Sequence, residues 1–300
     1  MAGSMPLKYM SKLAGSRVLI LGGTSGIGFA VAEAALEHGA TVIISSSREN
    51  KLQNALSRLR EAYPDPTYHA RINGYTCDLG TPENLDENIA KLLAQVTKNS
   101  PSERADDQRD DPALLDHIIY TAGDAIKVTP VPDLTVDTIQ RMGTVRFMGP
   151  LLLSKLAPRY MKKSSTSSIT LTSGSQSLKP MPNWTAVVAY STGTEGMMRG
   201  LAVDLAPIRV NCVAPGAVHT ELFNDISADR LDSVLESMAS ATLVGKVGKP
   251  EDVAEAYLYA MKDGFYCFSG GLEVYTLLIL CNLWRLEAKG ISVFKSLVHS

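Results

Sequence analysis

The chain predicts an α/β protein, a single domain in which one doubly wound parallel sheet is covered by helices on both faces in three layers. Three observations predict it. Short apolar runs rich in β-branched residues recur along the chain: "RVLILGG", "TVIISSS", "LLDHIIYTAG", "SSITLTSG" and "IRVNCVAPG". Between them lie segments with helical spacing, long enough to cross back over a sheet. Finally, 300 residues with 45% apolar and 20% charged content can bury one sizeable core. A formal net charge of -2 leaves no basic footprint for nucleic acid or an anionic membrane, so a small molecule is the expected partner.

Taken in order, "RVLILGG" is a strand, "SGIGFAVAEAALEHGA" a helix closed by Gly39, and "TVIISSS" a second strand. "YTCDL" ends a third strand and "PENLDENIAKLLAQV" is a helix. A fourth strand, "LLDHIIYTAG", leads into one long helix, "VDTIQRMGTVRFMGPLLLSKLAPRYM". "SSITLTSG" is a fifth strand, "VVAYSTGTEGMMRGLAVDLA" a helix, and "IRVNCVAPG" a sixth strand. Ligands of such sheets bind at the carboxyl ends of the strands. "NSPSERADDQRDDP" and "KKSSTSS" read as solvated loops.

Cys77, Cys212, Cys267 and Cys281 show no Cys-x-x-Cys spacing, so neither a disulfide framework nor a metal site is expected. The opening "MAGSMPLKYMSKLA" lacks the apolar run of a signal peptide. "VYTLLILCNLW" falls short of the roughly 20 apolar residues of a spanning helix. A reducing, cytoplasmic setting without membrane contact is expected.

"LGGTSGIG" places Gly22, Gly26 and Gly28, with Thr24, Ser25 and Ile27 between them, at the turn from the first strand into the first helix. Glycines there let backbone amides approach a pyrophosphate at the positive end of the helix. A dinucleotide with two ribose hydroxyls is usually met by Asp or Glu at the end of the second strand, whereas "IISSSREN" offers Ser46, Ser47 and Arg48. Hydroxyls with a guanidinium suit a 2′-phosphate, which favours NADPH/NADP over NAD.

With these motifs the chain resembles the short-chain dehydrogenase/reductase family, over about residues 14 to 263. "GGTSGIG" matches the family's glycine motif, Asp78 with Leu79 in "CDL" its adenine contact, and "TAG", with Ala122 and Gly123, its Asn-Asn-Ala-Gly. "APGAVHT", with Pro215, Gly216, Val218 and Thr220, matches the segment holding the nicotinamide, and "VGKVGKPEDVAEAYLYA" its late helix. The resemblance implies a Rossmann-type domain over residues 14–274, preceded by an extension at 1–13 and followed by an atypical one at 275–300. It also implies a homodimer or homotetramer paired through the fourth and fifth helices. Residues from about 275 onward read as an apolar extension over a subunit edge or as the product of a mis-spliced gene.

The family's carbonyl chemistry uses Tyr-x-x-x-Lys with a Ser and an Asn. Tyr190 is followed by Thr194 where lysine belongs, while the register set by "EGMMRGLA" puts Val187 at the tyrosine and Ser191 at the lysine. The serine falls on or beside Gly174, the asparagine on Arg146. Losing a positioned acid typically forfeits a factor of about 10² to 10⁴ in reducing a neutral ketone. Hydride addition to an iminium gives a neutral amine and needs no protein acid.

"KPMPNWTAVVAY" and "VRF" further resemble divergent fungal reductases of alkaloid and polyketide pathways, of the malbrancheamide and paraherquamide type. These reduce an iminium with NADPH and then guide an intramolecular cycloaddition. "PNW" lacks the acidic residue that would strengthen the cyclase reading. The expected function is therefore NADPH-dependent reduction of an iminium or conjugated carbonyl in a secondary metabolite. An ordinary ketoreductase using Tyr190 and a non-catalytic NADPH sensor are the alternatives.

Three residues are candidates at the reacting centre. Arg146 binds a substrate carbonyl or anion, or pairs with a loop acid; Trp184 walls an aromatic substrate, or packs; Tyr190 is a displaced proton donor, or closes a helix interface. The stretch over about 221–248, with Phe223, Leu231, Leu235 and Met238 on its apolar face, is either a lid or a packed surface helix pair.

Overall fold

The computed structural model describes residues 7–98, 112–126, 128–223, 228–240 and 242–264. The extension at 275–300, Cys267, Cys281 and nearly all of the loop at 99–112 lie outside the described residues. Six parallel strands form one sheet: β1 (Arg17–Leu21), β2 (Thr41–Ser46), β3 (Ile72–Thr76), β4 (His117–Tyr120), β5 (Ser168–Thr172) and β6 (Arg209–Val213). Their order is β3-β2-β1-β4-β5-β6, so the winding reverses between β1 and β4.

The period-2 pleat sends Val18 and Ile20 of β1 to one face and Leu19 and Leu21 to the other, and each pair joins a separate core. On the first face lie α1 (Gly26–Glu37), α2 (Glu49–Ala62) and α9 (Pro250–Lys262). In α2 the buried Leu52, Ala55, Leu56 and Leu59 fall at i, i+3, i+4 and i+7, the spacing of a helix with one apolar stripe. On the second face lie α4 (Leu85–Val96), α6 (Gly149–Leu156) and α7 (Thr185–Asp204). The three layers are those the alternating pattern predicts. A single turn, α3 (Pro66–His69), precedes β3.

The expected long helix after β4 is interrupted. It consists of α5 (Val136–Gly143), a π-helical stretch over Thr144–Met148, α6, and a 3-10 turn over Ala157–Arg159. Pro150 at the start of α6 has no N–H to donate to the carbonyl of residue 146, so the α ladder cannot pass through unbroken. The carbonyl of Val145 accepts a hydrogen bond from the buried Tyr120 hydroxyl at 2.5 Å. Gly149 makes room for that phenol: a Cβ there would stand 2.1 Å from its oxygen.

Candidate active site

A cavity of about 1170 Å³ opens over the carboxyl ends of the strands, at the reversal between β1 and β4 where sheets of this winding bind ligands. Its first wall is backbone. Gly22 has φ +86°, and a Cβ on it would meet the Ala122 backbone nitrogen at 2.6 Å; one on Gly28 would meet the Gly22 carbonyl at 2.3 Å. Ser25 caps α1 with no side-chain hydrogen bond, so the first-turn amides beside Gly26 have no side-chain cap to compete with an anion. These are the features a pyrophosphate requires, and the residues present fit a dinucleotide.

All seventeen residues expected to bind the cofactor line this cavity, from Gly22 to Gly28, at Ser46, Ser47 and Arg48, and on to Asp78, Leu79, Ala122, Gly123, Pro215, Gly216, Val218 and Thr220. The Asp78 carboxylate is held in place, accepting from the Gly80 amide and the Thr81 hydroxyl at 2.8 Å each. Lys51, which the sequence reading passed over, joins Arg48 in this lining. Its signal was the helical start of α2, which brings position 51 back beside position 48.

Arg146 also lines the cavity, carried inward by the π-helical stretch. Its guanidinium donates to the Asp124 carbonyl and lies across Gly123, where a Cβ would come within 2.5 Å of it. Burial pulls the Arg146 pKa down and the Asp124 carboxylate pushes it back up; burial raises Asp124, which the guanidinium opposes. The glycine of "TAG" thus both lines the cavity and makes room for the arginine.

Across the cavity, the turn after β5 carries Ser173, Gly174, Ser175 and Gln176. The Ser173 hydroxyl is near the Glu195 carboxylate at 2.9 Å and the Ser191 carbonyl at 3.1 Å. Gln176 Nε2 donates to the Ser191 hydroxyl at 3.0 Å, and that hydroxyl donates to the Val187 carbonyl at 2.9 Å. At 3.6 residues per turn, Tyr190 stands about 100° around α7 from Ser191, the residue that bonds to the turn after β5.

Tyr190 is not among the residues lining the cavity, nor are Val187 and Ser191. Its hydroxyl donates to the Ile139 carbonyl of α5 at 2.8 Å, its ring lies 5.6 Å from that of Phe147, and it covers Gly143, where a Cβ would come within 2.5 Å of it. Of the two roles considered for it, these contacts are those of the helix interface. Trp184 does line the cavity. It stands at the N-cap of α7 behind Asn183, whose φ of 68° turns the chain sharply into the helix. From the stretch expected to be a lid, α8 (Ala228–Ser240) and the turn Glu221–Phe223, only Phe223 and Met238 of the four apolar candidates reach the cavity; Leu231 and Leu235 do not. Among the described residues no cluster suited to a metal ion occurs and no helix is long and apolar enough to cross a membrane.

The family described as "SDR-like rossmann domain" matches residues 9–270. The chain is 45% identical over 251 residues to the short-chain dehydrogenase/reductase malC of Malbranchea aurantiaca, covering 84% of this chain and 90% of that protein. It is 42% identical over 258 residues to the short-chain dehydrogenase/reductase fsr5 of Gibberella fujikuroi, covering 85% and 92%. The solved structure of the MalC reductase/Diels-Alderase from Malbranchea aurantiaca superposes with a TM-score of 0.78 at 43% identity, over 86% of this chain and 95% of that one. A glucose/ribitol dehydrogenase from Brucella melitensis, at 19% identity and a TM-score of 0.66, shares the fold. The chain belongs to the short-chain dehydrogenase/reductase family.

Proposed function

We propose that the chain is an NADPH-dependent reductase of a small secondary metabolite, acting on an electron-poor double bond, an iminium or a conjugated carbonyl. The observation that carries this is the make-up of the cavity. One end gathers hydroxyls and two cations, Ser46, Ser47, Arg48 and Lys51, and among the described residues its lining includes no tyrosine and no histidine. NADPH, when bound, supplies a hydride.

The chain's own residues then have separable tasks. The amides at Gly22 to Gly28 hold the pyrophosphate, Asp78 and Leu79 the adenine, and Ser46, Ser47, Arg48 and Lys51 the 2′-phosphate. Pro215, Gly216, Val218 and Thr220 hold the nicotinamide. Trp184 and Arg146 orient the substrate, while Phe223 and Met238 exclude water from it. A ketone reduced here would need a proton at the nascent alkoxide, whereas an iminium becomes a neutral amine and needs none at that step. The 45% identity to malC and the reductase/Diels-Alderase description of the MalC structure support a substrate from secondary metabolism.

Exposed apolar side chains on the outer helices, Val136 and Ile139 of α5, Leu151 of α6 and Val203 of α7, support a homodimer or homotetramer through those helices.

The test is incubation with NADPH and a series of cyclic iminium salts and conjugated ketones. One amine or saturated ketone formed per NADPH consumed is expected. Tight NADPH binding with no oxidation by any member would make the protein a cofactor sensor or scaffold.

A further inference from the structure

The space beside β5 where a side chain at position 174 would stand is filled by another residue. A Cβ on Gly174 would lie 2.3 Å from Gln176 Oε1 and 2.5 Å from its Nε2. The glutamine carboxamide is folded back over the glycine, against the wall of the cavity that both residues line.

Its orientation follows from proton counting. The Ser191 hydroxyl has one proton, which it gives to the Val187 carbonyl at 2.9 Å. Toward Gln176 it can only accept, so the amide nitrogen is the end facing Ser191, at 3.0 Å. That leaves Oε1, the atom nearest the vacant Gly174 Cβ position, accepting no hydrogen bond among the described residues. An amide locked by its nitrogen offers its carbonyl, an acceptor with partial negative charge, to what enters the cavity. The two cations at this end are engaged, Arg146 with Asp124 and Lys179 within the protein.

We infer that Gln176 is a substrate-positioning residue whose Oε1 accepts from, and selects for, a cationic nitrogen in the substrate. This deepens the proposed reductase reading and rests on it for the identity of the reacting group.

The experiment measures binding to the protein loaded with NADP⁺, so that no turnover intervenes. The probes are 3,4-dihydroisoquinolinium, the protonated cyclic imine, and 1-tetralone, a neutral bicyclic carbonyl compound of similar size. The wild type is expected to prefer the cation. Gln176→Met should weaken the cation about tenfold and the ketone by less than about twofold, as for one hydrogen bond to a charged group. Gln176→Glu, which puts a full negative charge in the same place, should tighten the cation and leave NADP⁺ affinity unchanged. A merely structural amide would give the opposite sign, because the glutamate loses the donor to Ser191 and both probes would weaken together.

Equal loss of both probes in Gln176→Met, weaker cation binding in Gln176→Glu, or a wild type without preference for the cation would each overturn the inference. The proposed function fails separately: a wild type that binds the cation in a Gln176-dependent way but never oxidises NADPH with it keeps the positioning role and loses the reductase.

Discussion

The turn after β1 and the turn after β5 face each other across one cavity, yet they are built by different means. The first is made of backbone: Gly22 at φ +86° and Gly28 against the Gly22 carbonyl leave room for nothing but main chain. The second is made of side chains, Ser173 and Gln176, held from behind by hydrogen bonds to Glu195 and Ser191 of α7. A backbone site constrains which residues are allowed and so can be recognised from its glycines. A side-chain site depends on how α7 is rotated and how the loop is folded, and leaves a weaker trace. The two walls should therefore respond differently to substitution.

The largest effect belongs to the backbone wall. Gly28→Ala places a methyl 2.3 Å from the Gly22 carbonyl and 2.4 Å from the Thr121 hydroxyl. The turn must move, and NADPH affinity should fall by more than about 100-fold while the fold loses about 1 to 3 kcal/mol. Calorimetric titration and thermal unfolding check it; near-normal affinity would break the contrast between the walls.

The sheet beneath both walls gives the next effect. His117 of β4 is buried with its Nδ1 2.9 Å from the Ser168 hydroxyl, and burial pushes its pKa down to about 4. The neighbouring Arg209 and Lys162 push the same way, against Asp116. The unfolded chain binds this proton below about pH 6.5 and the folded one does not until about pH 4, so stability falls as pH drops through that window. The loss should approach about 3 kcal/mol for this group. Denaturant unfolding from pH 7 to 4 should show a slope that His117→Gln flattens; an unchanged slope assigns the acid loss elsewhere.

At the adenosine end, Arg48→Ala should weaken NADPH by about 1.5 to 3 kcal/mol and barely change NADH. Equal weakening of both cofactors removes the basis for a 2′-phosphate site. The smallest effect is expected at Tyr190. Tyr190→Phe removes one hydrogen bond to the Ile139 carbonyl, which should cost about 0.5 to 1.5 kcal/mol of stability and leave turnover within a few fold.

These residues also mark how far sequence reasoning reached. The six strands, the winding and the cradle were legible because period-2 runs and glycine turns are local signals. The break in the helix after β4 was written in "MGP", since Pro150 cannot donate, but apolar spacing on both sides of it suggested continuity. Lys51 was passed over because its place in the lining depends on where α2 starts. Gln176 was invisible for a stronger reason: its place is defined by an absence, the missing side chain of Gly174, and by the direction of a hydroxyl proton on Ser191 of another element. Tyr190 was ambiguous in sequence, where a tyrosine one turn off register still looks chemical; the rotation of α7 turns it to α5.

The central claim, reduction without a positioned protein acid, is tested most directly by single-turnover hydride transfer from bound NADPH, followed across pH. The acceptors are the permanently charged N-methyl-3,4-dihydroisoquinolinium and the neutral 1-tetralone. A flat pH profile is expected for the cation, unchanged in Tyr190→Phe, with a ketone rate slower by about 10² or more. Faster reduction of the ketone, with a pH limb that disappears and a rate that falls by about 10² in Tyr190→Phe, would contradict it.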